Sequence, residues 1–185
     1  MGSHRHLMIA IDWFGPYRTL NEAHSAASVD YDHGLYMVIG KQPEEQKKSP
    51  QYIGIANNLR NRLTQQHHKI SRITGPIEIW LGEVVTAEPS GKKVKSTKTT
   101  LDYSEWLHAR FLSLPLNDRK SKTLPNRSAT VLNRWWNTNY ETARLRRPHP
   151  SWPDLIDFQL DGLPARTVWF GGRQRRFLAP DYAKL

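Results

Sequence analysis

Two apolar runs of strand length, His33 to Gly40 and Gln51 to Ile55, flank a polar stretch, Lys41 to Pro50, that is punctuated by two prolines. Runs of this length rich in Ile, Val and Tyr pack as strands, and a short polar link joins antiparallel neighbours, so a hairpin is expected. Each run carries a tyrosine close to a glycine, in Gly34-Leu35-Tyr36 and in Tyr52-Ile53-Gly54. Both hydroxyls are thereby fixed to strands, and rigid placement is what catalysis needs. Asn57 or Asn58 is suited to cap a helix reaching about Lys69, with Arg60, Arg62, His67, His68 and Lys69 giving it a basic face. Pro76 to Val85 reads as a third strand. Lys92, Lys93 and Lys95 fall in an acid-free stretch that reads as a loop. A helical pattern starts at Thr100, carries Leu101, Trp106, Leu107 and Phe111, and stops before Pro115. Glu105 lies inside it, where a carboxylate is costly to bury unless a positive group meets it.

The two tripeptides, with Leu59 and Arg62 following Gly54 by five and eight positions, resemble the signature of the GIY-YIG nucleases. Glu105 on a later helix, then Pro115 and Asn117, keep the family's order. The resemblance spans residues 33–117 and implies an α+β core, a three-stranded antiparallel sheet flanked by helices. Residues 1–32 and 118–185 are then N-terminal and C-terminal elaborations of one domain. Four departures are visible: Ala56 replaces a small hydroxyl residue, Leu35 replaces isoleucine, the place of a helper histidine falls on Gln66, one before His67, and the loop between the tripeptides is slightly long.

The resemblance also implies roles. Tyr36 takes the proton of the attacking water, Arg62 makes a forked contact to the scissile phosphate, and Tyr52 orients phosphate or water. Glu105 is the metal ligand, holding one Mg²⁺ or Mn²⁺ at the leaving oxygen, and Asn117 braces the metal side. Tyrosine ordinarily titrates near ~10, so Tyr36 needs a cation beside it to act near neutrality. Taken singly, each of these residues is commonly structural. Their joint order carries the weight.

Charge agrees with a polyanionic partner: the chain has a formal net charge of +10 and a pI near 10.0. From Arg110 to Arg147 nine Lys or Arg stand against Asp118 and Glu141. Asn126 to Arg147 reads as an amphipathic helix with arginines outward, so Arg60, Lys92, Lys93, Lys95, Arg127 and Arg134 are the candidate DNA contacts. Leu7 to Phe14 reads as a strand broken by Gly15-Pro16, and Thr19-x-x-Glu22 as the start of a helix. Leu155–Leu160, Thr167–Phe170 and Arg173–Leu178 read as a β-rich end. With no cysteine, disulfides and thiolate metal sites are excluded, and a cytoplasmic setting is expected. No apolar stretch has membrane-spanning length.

The expected activity is metal-dependent hydrolysis of double-stranded DNA, in the manner of the small restriction endonucleases of that superfamily, with a homodimer if the site is palindromic. The alternatives are a structure-specific or homing-type nicking nuclease, and a nucleic-acid-binding module without catalysis.

Overall fold

Strand β2 (Gly34–Lys41) is buried on both faces, the mark of a strand with layers above and below it. The computed structural model describes residues 6–31, 33–64, 66–86, 97–160 and 162–177. Before β2 come β1 (Leu7–Tyr17) and α1 (Leu20–Asp30), which is capped by the Thr19 side chain. After it come β3 (Ser49–Ala56), a one-turn α2 (Leu59–Arg62), a 3-10 turn at Ile70–Arg72, β4 (Thr74–Val84) and α3 (Lys98–Phe111). The chain continues through β5 (Ala129–Trp136), β6 (Leu155–Phe158), β7 (Ala165–Trp169) and β8 (Arg173–Phe177).

All eight strands form one sheet in the order β3-β2-β4-β1-β5-β6-β7-β8, antiparallel throughout except for the β1–β5 pair. This corrects the expected three-stranded antiparallel sheet flanked by helices. β3, β2 and β4 do pair antiparallel, but β4 goes on to pair with β1, and the sheet runs four strands further. It also curls. Helix α3 touches β3, while its Phe111 ring lies 5.1 Å from the Phe177 ring on β8, so one helix meets both edge strands. A flat sheet of eight strands spans roughly 34 Å and a 14-residue helix only about 21 Å, so both contacts require the sheet to bend round it.

The alternation of the strands sorts two cores. Leu7, Ile9, Ile11 and Trp13 of β1, with Leu35, Met37 and Ile39 of β2, pack on the α3 side. Tyr36, Val38 and Tyr52 face the opposite side with Ala23 and Ala27 of α1 and Leu59 of α2. The stretch 126–147 is a correction too: it forms β5 rather than a helix. Ala129, Val131, Asn133 and Trp135 are buried at every second position, the three apolar ones in the α3 core, and the whole strand pairs in register with β1. Gly15-Pro16 does not end β1 either; it sits at an irregularity between Phe14 and Tyr17, and the strand resumes.

At the centre of the α3 core, the Trp152 ring lies 4.8 Å from Trp13 and 6.1 Å from His108, between ring centres. Trp13 donates its indole N–H to Asn133 Oδ1, and Asn133 Nδ2 donates to the Pro153 carbonyl, which fixes the amide's orientation. His108 then faces two acceptors, Ser104 O at 2.7 Å and Asn133 Oδ1 at 3.0 Å. A neutral ring has one N–H for the pair. Burial nonetheless outweighs both hydrogen bonds and lowers the His108 pKa to about 4. The unfolded chain therefore takes up this proton near pH 6.5, and the folded chain only near 4. Stability should fall as pH drops through that interval, by up to about 3 kcal/mol from this residue. Urea midpoints at pH 7 and pH 4.5 check this: the drop should be larger in the wild type than in His108→Gln.

Candidate active site

Tyr36 stands on β2 directly across from Gly54 on β3. A Cβ at position 54 would lie 2.4 Å from the Tyr36 hydroxyl oxygen, so the glycine of the second tripeptide is the space that the first tripeptide's tyrosine occupies. Gly54→Ala should push the ring out of place, cost about 1–3 kcal/mol by overpacking, and remove any activity that depends on Tyr36. A urea titration beside an activity assay reads both effects.

The Tyr36 oxygen is fully buried and receives two N–H donors. Arg62 donates from Nε at 3.2 Å, and His67 Nε2 lies 2.7 Å away. The backbone N–H groups of Lys69 and Ile70 both point at His67 Nδ1, which therefore carries no proton, and Nε2 carries the ring's hydrogen. Burial, with Arg62 and His68 next, lowers the His67 pKa to about 4 and keeps the ring neutral. The Tyr52 ring lies 5.8 Å from the Tyr36 ring. Burial is the largest influence on Tyr36 and holds it well above the usual tyrosine range, despite the Arg62 guanidinium. At rest it is a phenol, not a phenolate.

Two neighbours of this oxygen come from a segment expected to be helical to Lys69. Five residues of helix turn 500°, leaving Arg62 and His67 about 140° apart around the axis, so a continuous helix could not bring both to one atom. The chain instead leaves the helix after Arg62, and Asn58 caps its single turn.

Tyr52, Arg62 and Asn117 line an open cleft of about 530 Å³ together with Glu105. Tyr36 lies behind its wall, reached through Arg62 and Tyr52. Lys69, Arg119 and Lys120 add cationic walls, opposed by Glu105 and by Asp118, which pairs with Lys69. The balance favours an anion. Lys120 Nζ lies 2.5 Å from Glu105 Oε2 and 2.5 Å from Asp102 Oδ1, one turn earlier on α3. Burial raises the Glu105 carboxyl above the ordinary glutamate range in spite of Lys120. Burial lowers Lys120, but its hydrogen bonds to Asp102 and Glu105 prevail and raise it.

Two carboxylates already converge here on a positive charge. That donor set suits a hard divalent cation that takes its remaining positions from water and phosphate. Among the described residues no three His, Asp or Glu side chains converge on one point. Asn117 grips the Ile53 backbone, accepting from its N–H at 2.9 Å and donating to its carbonyl at 2.8 Å. Its effect is to hold the strand that carries Tyr52.

The candidate DNA contacts are dispersed. Arg60 is exposed on α2, whereas Arg127 sits near Tyr103 in the segment before β5. Arg134 makes a forked pair with Asp12, its neighbour in the β1–β5 register, at 2.6 and 2.8 Å. Lys92, Lys93 and Lys95 lie outside the described residues. Sequence reasoning missed Asp102 and Lys120; Asp102 stands one turn before Glu105, but nothing local marks Lys120 as its partner. Among the described residues no helix is long and apolar enough to cross a membrane. Compared with protein-family models, curated proteins and solved structures, the chain matches none.

Proposed function

We propose that this chain is a metal-dependent DNA endonuclease acting through the cleft between β3, α2 and α3. The observation that supports this most is the double engagement of Arg62, which donates to the buried Tyr36 oxygen and also lines a cationic cleft holding Glu105. A guanidinium so placed holds a phosphodiester with its outer nitrogens and stabilises negative charge on Tyr36 with Nε.

Tyr36 is the proton acceptor, and Tyr52, whose ring lies 5.8 Å from it, stands between it and the cleft. Once deprotonated, Tyr36 takes a proton from a water in the cleft, relayed by the Tyr52 hydroxyl. That water's oxygen bonds to phosphorus as the bond to the leaving sugar oxygen breaks, and the leaving oxygen is then protonated from solvent. His67 donates to the Tyr36 oxygen throughout and holds its orientation. Glu105, with Asp102 beside it, would hold Mg²⁺ or Mn²⁺, which supplies Lewis-acid stabilisation of the leaving oxygen. Lys120, now on Glu105, would have to yield that place to the ion.

Incubation of purified protein with supercoiled plasmid and linear phage DNA, with Mg²⁺ or with EDTA, tests the reading. Metal-dependent discrete fragments support a site-specific double-strand cutter, and an accumulating nicked circle a single-strand one. Tight binding with no cleavage at any metal or pH would overturn the enzymatic reading in favour of a binding module.

A further inference from the structure

The sheet edge opposite β3 carries a feature the cleft does not use. From Ala165 to Phe177 the β7–β8 hairpin has four arginines and no acid. Trp169 pairs with Arg173, leaving Phe170, Gly171 and Gly172 as the turn, with φ of 106° and 113° at the glycines and open space around both. Phe170 at the tip is 60% exposed although its backbone is anchored. Its N–H donates to Asp154 Oδ2 at 2.6 Å, and its carbonyl accepts from Arg147, which is paired with the same carboxylate. The ring is thus presented outward from a fixed backbone.

The arginines extend this surface. Arg173 lies 3.8 Å over the Trp169 ring, and Arg175 lies 4.6 Å over Phe177. Arg166 is held by Asp157, while Arg176 stands directly opposite Arg166 in the register, a like-charge pairing that costs stability. Among the described residues neither Arg175 nor Arg176 forms an ion pair. Charges on an edge strand guard against edge-to-edge pairing. That role does not call for an anchored aromatic at the tip, nor for guanidinium throughout.

We propose that the β7–β8 hairpin docks duplex DNA, with Arg175 and Arg176 on backbone phosphates and Phe170 as an apolar wedge at a groove. Ribbons of two strands enter grooves, apolar side chains at their ends press against base steps, and arginine forks match phosphate oxygens. The choice of DNA as the polymer rests on the nuclease reading. The surface itself lies on the far edge of the sheet from Tyr52.

The test is fluorescence anisotropy of a labelled duplex of about 30 base pairs in EDTA across a salt series, for wild type, Arg175→Glu/Arg176→Glu and Phe170→Ala. The double variant should bind at least about tenfold more weakly, with the log–log salt slope reduced by about 2. Phe170→Ala should weaken binding about fivefold and keep the slope, since an apolar wedge releases no counterions. Circular dichroism checks that each variant folds. Wild-type affinity and slope in both variants would overturn the proposal, as would wild-type binding to phosphatidylglycerol vesicles but not to the duplex. Loss of binding in the variants, in a protein that never cleaves, keeps the hairpin and removes the nuclease. Cleavage with unchanged variant binding does the reverse.

Discussion

Tyr36→Phe is expected to lower DNA cleavage by about 10³-fold while leaving duplex binding in EDTA unchanged. The lost oxygen is the shared acceptor of Arg62 Nε and His67 Nε2. Both donors then lack a partner in a buried place, so a stability cost of about 1–3 kcal/mol should accompany the kinetic one. A melting curve separates the two by showing that the variant is still folded at assay temperature. The pH profile is the sharper readout. Because burial holds Tyr36 well above the usual tyrosine range, only a small deprotonated fraction exists near neutrality. The wild-type rate should therefore climb about tenfold per pH unit from 7 to 9, and the residual rate of Tyr36→Phe should not. A flat wild-type profile would show that the phenol never gives up its proton, and would reduce Tyr36 to a positioning donor.

Glu105→Gln carries the second large effect. The amide keeps the shape and removes the charge, so Mg²⁺-supported cleavage should fall by about 10³-fold and raising Mg²⁺ should not restore it. Binding of Mg²⁺, followed by calorimetry, should be lost in parallel. Lys120 keeps Asp102 as partner, and the amide oxygen of Gln can still accept from it, so the stability cost should stay within about 1–2 kcal/mol. Unaltered cleavage in this variant would make Glu105 no more than the counter-charge of Lys120. The two predictions are independent, because the proposed mechanism has Tyr36 act on the water and Glu105 on the side of the leaving oxygen.

What the amino acids dictate locally was readable. The runs around Tyr36 and Tyr52 have strand length and composition, Asn58 and Thr19 are caps by chemistry, and Thr100 to Phe111 has helical spacing, so the elements beneath Tyr36, Tyr52 and Glu105 could be named from the chain alone. Residues 126–147 show where local reading fails. Val131, Leu132, Trp135 and Trp136 suit a helical stripe as well as a strand, and only pairing with β1, more than a hundred residues earlier, selects the strand. Arg134 changes meaning with that choice, from an outward arginine to the partner of Asp12.

The sequence by itself determined the strand positions of the two tyrosines, the presence of Arg62 and Glu105 on the segments that follow them, and the positive charge. Only the tertiary structure decided that the sheet has eight strands and curls round α3, because strand pairing and burial are contacts between distant residues that no local pattern records. It alone seats Lys120 on Glu105, turns Asn117 onto the Ile53 backbone, and brings His67 to the Tyr36 oxygen by ending a helix early. Each is a hydrogen bond whose partner is chosen by the fold, since a side chain's type fixes what it can donate or accept but not what it will face.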